Sequence, residues 1–111
     1  MTVRLVVHHR APQDDPEAVE RSYRLFLPGF QGTPGLLGVR LLRLADDPLG
    51  YAVVSDWERR EAYETWRQGP AYQGKKTPLH PYQDRNRRPH YEIYEVFEDG
   101  AAGAEPPGGD R

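Results

Sequence analysis

Residues 50–72, GYAVVSDWERREAYETWRQGPAY, contain the strand and the helix on which the predicted fold depends. Residues 51–57 are mostly aromatic and β-branched, which favours a strand. Residues 58–68 place Ala62, Tyr63 and Trp66 on one apolar stripe, and Gly69-Pro70 ends the predicted helix. An apolar strand followed at once by an amphipathic helix predicts a domain in which helices cover a sheet.

Three further strands and one further helix are predicted on either side of this stretch. The strands are residues 3–9 (VRLVVHH), 36–44 (LLGVRLLRL) and 91–97 (YEIYEVF). The helix lies between the first two strands and is predicted to start at Asp14 or Asp15 as the cap, with Pro16 in its first turn. Its apolar stripe consists of Val19, Tyr23 and Phe26. Pro28-Gly29 is predicted to end it. The order βαββαβ predicts the ferredoxin-like antiparallel sheet of the α+β class.

The composition indicates one small domain and excludes several classes of protein. A chain of 111 residues is close to the commonest domain size. A formal net charge of −2 argues against a nucleic-acid partner, and the absence of cysteine excludes disulfides and thiolate chemistry. No apolar run approaches the ~18 residues of a membrane span, so no membrane partner is expected and the cytoplasm is the expected location.

The domain is expected to span residues 2–98, and residues 99–111 to form a disordered tail. This last segment is rich in Gly, Pro and Ala and has no large apolar side chain, so it cannot bury enough surface to offset its ordering entropy.

The first three strands read as nearly continuous apolar runs, which indicates burial on both faces of the sheet. Two helices cover only one face of a four-stranded sheet. The simplest cover for the other face is the same sheet of a second copy, so the sequence predicts a homodimer.

Several short motifs lie in a fixed order between residues 32 and 72. They are Pro34-Gly35, Asp47-Pro48, Trp57-Glu58, Tyr63, Trp66, Gly69 and Tyr72. In this pattern the chain resembles the antibiotic biosynthesis monooxygenase (ABM) superfamily of dimeric α+β barrels, over about residues 3–98. That superfamily includes cofactor-free quinone-forming oxygenases, heme-degrading enzymes and polyketide cyclases, so the resemblance implies the fold more sharply than the activity.

The heme-degrading branch implies an iron-ligating His nine or ten residues after the helix Trp, and an Asn on the first strand. This chain has Lys75 and Lys76 at the first place and Val6 and Val7 at the second. A protonated lysine cannot donate a lone pair to iron. Both departures argue against heme, although His80 lies near enough in sequence to replace the missing ligand.

The resemblance therefore implies a cofactor-independent monooxygenase that oxidises a polyketide-like phenol to a quinone in an aromatic cavity. His8 and His9 are candidate bases, and because they are adjacent on a strand only one of them faces the helices. Arg59 is a candidate cationic donor, since Arg59, Tyr63 and Trp66 are spaced to share one helical face. The alternatives are a non-oxidative ligand-binding or cyclase-like dimer and a heme-binding monooxygenase.

The cavity itself is predicted to bind a small aromatic ligand through five side chains. These candidates are Trp57, Tyr63, Trp66, Tyr72 and His80. Trp57 is better explained as a residue that packs the strand against the helix, because a large aromatic side chain at such a junction contributes buried area first. Tyr91 and Tyr94 are interpreted as ordinary strand residues.

Overall fold

Four antiparallel strands form one sheet in the computed structural model, which describes residues 1–69 and 77–100. The elements in chain order are β1 (Val3–Arg10), α1 (Ala18–Phe30), β2 (Leu36–Arg43), β3 (Gly50–Trp57), α2 (Arg60–Gln68), a single 3-10 turn (His80–Tyr82) and β4 (Tyr91–Glu95). The spatial order of the strands is β2-β3-β1-β4. The predicted βαββαβ arrangement is confirmed, and β1 lies at the centre of the sheet between β3 and β4.

The two helices cover one face of the sheet, and the core lies between the helices and that face. Val3 and Leu5 on β1 pack there with Phe30, Trp57 and Tyr63. The register places Val3 opposite Trp57, so their side chains share this face. No helix in the described part of the chain is both long and apolar enough to cross a bilayer.

The ends predicted for α1 are wrong at both termini. The helix begins at Ala18, and Glu17 precedes it with no side-chain cap. The carboxylate of Asp15 is bound by Arg21, which removes it as a cap. At the other end Pro28 lies inside the helix, which continues to Phe30 because the buried Phe30 ring packs against the core.

The face of the sheet opposite the helices is mixed in polarity. It carries an ion pair between Arg4 and Asp56, with Arg4 Nε 2.7 Å from Asp56 Oδ1. The partly exposed side chains of Leu42 and Tyr94 lie on the same face, according to the strand register. This surface is called the open face below.

Candidate functional site

A cavity of about 180 Å³ lies between the sheet and the two helices. Its apolar walls come from both β1 and β3 and from both helices: Leu5, Val7, Phe26, Phe30, Val53 and Trp66. Leu79 adds to the apolar wall, and the polar lining comprises His9, Ser55, Tyr63, Arg67, Thr77, His80, Gln83, His90 and Tyr91. An apolar hollow with a few convergent polar groups is the usual form of a small-molecule site. We call it the helix-side cavity.

The segment between residues 77 and 90 closes one side of this cavity. The backbone N–H of Asp84 donates to the carbonyl of His8 over 2.9 Å, and His9 forms an isolated bridge with Gln83. Leu79 is buried in the core beside Val19 and Tyr51. These contacts hold the segment against the end of β1 and bring its polar side chains to the cavity.

His9 is the predicted base that faces the helix-side cavity. Its side chain is 3% exposed, and Nδ1 lies 3.0 Å from the carbonyl oxygen of Val7. Because a carbonyl only accepts hydrogen bonds, Nδ1 carries the proton of the neutral ring and Nε2 keeps its lone pair. Burial lowers the pKa of His9 to about 4, although the Val7 carbonyl opposes the shift. His9 is therefore neutral throughout the physiological pH range.

His8 lies on the open face, as the strand alternation requires. Its Nε2 lies 2.8 Å from Oε1 of Glu92 on the neighbouring strand β4. The ring nitrogen donates to the carboxylate, so His8 has a structural partner. Of the two adjacent histidines, only His9 lines the cavity.

Arg59 does not share a helical face with Tyr63 and Trp66, so that prediction is wrong. Helix α2 begins at Arg60, and Arg59 precedes it in an extended conformation with φ −161°. Its guanidinium is largely exposed and lies 3.4 Å from Oε1 of Glu58. The side chain borders a separate surface depression beside Pro34 and Gly35, outside the helix-side cavity.

Trp57 is a core residue and does not line the helix-side cavity. It is fully buried, and its Nε1–H donates to Oγ of Ser55 over 2.9 Å. Its ring packs edge-on against Phe30 and Tyr63, with centroid distances of 5.7 and 5.8 Å. The packing interpretation of Trp57 is therefore the one that its position supports.

Tyr63 and Trp66 do line the cavity, one turn apart on α2. Tyr63 is buried, whereas Trp66 is partly exposed and packs 4.9 Å from the Phe30 ring. Trp66 also borders two surface depressions outside the cavity. Its ring is therefore the wall between the cavity and the surface.

His80 reaches the cavity from the 3-10 turn, but its ring is already engaged. Nη2 of Arg85 lies 3.2 Å from Nε2 of His80 and 2.9 Å from Oε1 of Gln83. The same Nη2 lies 3.5 Å from Nδ1, and because a guanidinium only donates, the acceptor is the ring nitrogen that carries no proton. Tyr72, Lys75 and Lys76 lie outside the described residues.

Several cavity residues were not predicted from the sequence. Phe30 and Arg67 belong to the ends of their helices, and their direction depends on how each helix packs. His90 and Gln83 lie in a segment without periodicity, which gives no signal of what they face. Tyr91 was interpreted as an ordinary strand residue, yet it lines the cavity through the same alternation that places Ile93 in the core.

The described wall of the cavity carries a single positive charge. Among the described lining residues there is no carboxylate, and Arg67 is the only side chain with a permanent charge. Within the same part of the chain, no three His, Asp or Glu side chains are grouped closely enough to hold a metal ion. The described wall therefore suits an uncharged ring and, beside Arg67, a negative group.

A family model described as "Antibiotic biosynthesis monooxygenase" matches residues 2–74. Two curated relatives, both described as a mycobilin-producing heme oxygenase, come from two strains of Mycobacterium tuberculosis. Each is 44% identical over 41 residues, which is 37% of this chain and 39% of the relative. The match thus covers well under half the length of these relatives.

Two solved structures extend the comparison over almost the whole domain. A heme-degrading protein from Mycobacterium tuberculosis, solved free of heme, is 25% identical with a TM-score of 0.68, covering 91% of this chain and 100% of that chain. SnoaB, a cofactor-independent oxygenase from Streptomyces nogalater, is 18% identical with a TM-score of 0.68, covering 92% of this chain and 97% of that chain. At that identity the likeness to SnoaB concerns the fold alone.

Proposed function

Since this chain belongs to the antibiotic biosynthesis monooxygenase family, we propose that it is a cofactor-independent monooxygenase that converts an electron-rich phenol to a quinone. The observation that carries the proposal is the state of His9. It is a buried, neutral imidazole with an available Nε2 lone pair in the wall of an apolar cavity. Such a nitrogen accepts a hydrogen bond from the hydroxyl of a phenol whose ring lies between the apolar walls, and it takes the proton because the developing phenolate beside it raises its basicity.

The proposed reaction needs dioxygen as its only co-substrate. Proton transfer to His9 leaves a phenolate, which passes one electron to dioxygen, and the two radicals join at the ring carbon para to the oxygen. His9 returns its proton to the outer peroxide oxygen. The C–H bond at that carbon and the O–O bond then break, which releases water and leaves a second carbonyl. Phenol and dioxygen thus become quinone and water, and the substrate supplies every electron.

The described residues contribute environment and proton handling to this chemistry. Phe26, Phe30 and Trp66 offer ring faces against which an aromatic substrate packs, and they exclude water from it. A base with a pKa of about 4 keeps a proton only while an anion lies beside it. His9 therefore returns the proton readily to the peroxide that forms next to it.

The test is oxygen-dependent turnover of 1,5-dihydroxynaphthalene, whose product, 5-hydroxy-1,4-naphthoquinone, is coloured. We expect one dioxygen consumed per quinone formed, and no product without oxygen. His9→Gln is expected to lower kcat/KM by about 100-fold, the usual scale of lost general-base catalysis. His8→Gln is the matched control, because it changes the adjacent histidine on the other face of β1. Equal rates in both variants and the unmodified chain contradict the role of His9.

A non-oxidative ligand-binding or cyclase-like protein is the alternative from another class, since the same walls hold a ligand without oxidising it. The two differ in their need for oxygen. Saturable binding of electron-rich phenols with no oxygen uptake for any of them, at protein concentrations near the Kd, favours the alternative and contradicts the oxygenase.

Heme does not fit the described residues, although the curated relatives are named as heme oxygenases. The helix-side cavity of about 180 Å³ is smaller than the ~300 Å³ at the lower end of drug-sized sites, and a tetrapyrrole is larger than most drugs. The ring of His80, the substitute ligand suggested by the sequence, is in contact with the guanidinium of Arg85. His9 has an Nε2 lone pair that could ligate iron, but the cavity around it fits a smaller molecule than heme.

The homodimer remains part of the proposal. The open face exposes 46% of Leu42 and 52% of Tyr94, around a centre in which Val54 is already buried. A second copy of the same sheet covers these side chains. The Arg4–Asp56 ion pair and the hydrogen bond from His8 to the Glu92 carboxylate give the polar groups of this face partners that such packing would keep.

A further inference from the structure

We infer that the substrate of the helix-side cavity carries a carboxylate, which Arg67 holds at the cavity mouth while the hydroxylated ring, of one or two fused rings, lies inside. This inference rests on the proposed function and narrows it to a class of hydroxylated aromatic acids. Arg67 is then a specificity-determining residue.

Arg67 differs from its neighbours in having no carboxylate partner within the part of the chain that the structure describes. On the same stretch of chain, Arg59 is paired with Glu58, and Arg60 lies 2.9 Å from Glu64 through its Nε. Within the described residues, the guanidinium of Arg67 has no hydrogen bond or ion pair. Its forked donors therefore remain available, and their geometry matches a carboxylate in two parallel hydrogen bonds.

The position of Arg67 determines which end of the ligand points out of the cavity. Arg67 is exposed and yet lines the cavity, so it lies at the mouth, whereas His9 is buried. A carboxylate placed among the apolar walls would lose its hydration with no compensating partner. It would also face the lone pair of His9 Nε2. The anionic end consequently points outward to Arg67, and the hydroxyl end points inward.

The volume of the cavity limits the ring system. An apolar cavity of roughly 150 Å³ binds benzene in another protein. The helix-side cavity is about 180 Å³, so it accepts a single ring or two fused rings, with a charged substituent left at the mouth. The polyketide-like phenol that the family resemblance implies is thereby limited to one ring or two fused rings.

The experiment compares 4-hydroxy-2-naphthoate with its neutral amide, 4-hydroxy-2-naphthamide, by isothermal titration at pH 7.5. Both have the same rings, the same hydroxyl and a free carbon para to it, so either can be oxidised. The full chain, Arg67→Gln, Arg67→Lys and the matched control Arg60→Gln are titrated in parallel. Arg60 is exposed on the same helix and does not line the cavity.

In the unmodified chain we expect the acid to bind about fivefold more tightly than the amide, the upper scale of an ion pair whose cation is exposed to solvent. Arg67→Gln should remove that preference and leave the affinity for the amide unchanged. Arg67→Lys should restore part of it, because the charge returns without the fork. Arg60→Gln should keep the full preference.

Equal affinity for acid and amide in the unmodified chain overturns the inference, as does a preference that survives in Arg67→Gln. Oxygen uptake with the neutral amide distinguishes the two proposals. If the amide is oxidised and Arg67 has no effect, the oxygenase stands and the carboxylate site fails. If neither compound consumes oxygen but the acid binds through Arg67, the carboxylate site stands and the oxygenase fails.

Discussion

A Cβ atom on Gly35 would lie 2.4 Å from the Cβ of Ala62, closer than two carbon atoms that are not bonded to each other can approach. The start of β2 and the first turn of α2 therefore touch only because residue 35 has no side chain. The same glycine has φ +84°, and its carbonyl accepts the N–H of Glu58 over 2.8 Å. This contact fixes the position of α2 against the sheet, and therefore the positions of Tyr63, Trp66 and Arg67.

Gly35→Ala is expected to destabilise the domain by about 2–4 kcal/mol, the sum of a left-handed backbone and an overpacked contact. Gly32→Ala is the matched control, since Gly32 has φ +83° but open space around it. It should cost only the backbone component, about 1–2 kcal/mol. Urea denaturation measures both, and equal losses would mean that the Ala62 contact is not tight.

Acid should weaken the fold through His9. Its pKa is about 4 in the folded chain against 6.5 ordinarily, so between these values the unfolded chain binds more protons. Stability from the neutral imidazole is complete above pH 6.5 and falls as the pH drops towards 4, by about 3 kcal/mol in total. Denaturation of His9→Gln across this range should show a shallower slope. Gln83→Ala, which changes a cavity residue without removing a titratable group, should keep the original slope.

Trp66→Phe should cost little stability, below about 1.5 kcal/mol, because the ring is a partly exposed cavity wall. Affinity for the naphthalene ligands should fall more steeply. Trp57→Phe is the contrasting variant: it loses the bond to Ser55 and leaves a void, at about 2–4 kcal/mol. Thermal melts and titrations on folded protein separate the two effects. A large stability loss in Trp66→Phe with unchanged affinity would remove Trp66 from the site.

Light scattering at micromolar concentration should give about twice the 12.7 kDa chain mass. Leu42→Asp, on the open face, should shift the mass to that of a single chain, because it places a charge in the proposed contact. Leu25→Asp is the control, since Leu25 is 73% exposed on α1, away from the sheet. A single-chain mass for the unmodified protein would contradict the homodimer.

Hemin titration should give no saturable Soret band at one heme per chain, because the helix-side cavity is too small for a tetrapyrrole. A saturable band would overturn this expectation. In that case its loss in His80→Ala or in His9→Ala would identify the ligand, the former requiring that Arg85 leave His80.

The order of the elements and the alternation of the strands were predictable from local sequence. Runs rich in β-branched, aromatic and other apolar residues predict the strands, and the stripe of Val19, Tyr23 and Phe26 predicts α1. Alternation alone places His8 and His9 on opposite faces. Helix ends were less predictable, because Pro28 is tolerated where Phe30 gains a buried contact further along the chain.

Local sequence was enough to predict the βαββαβ order, the family resemblance and the separation of the two histidines, since each depends on residues that are close together in the chain. The folded chain was needed to show that His9 is the histidine in the cavity, that Trp57 is core, and that Arg59 lies outside. It also brought Arg67 to the cavity mouth together with the segment from residue 77 to 90. The physical reason is that a cavity is made by packing between distant segments, and neither the direction of a helix end nor the path of an aperiodic loop is encoded in local pattern.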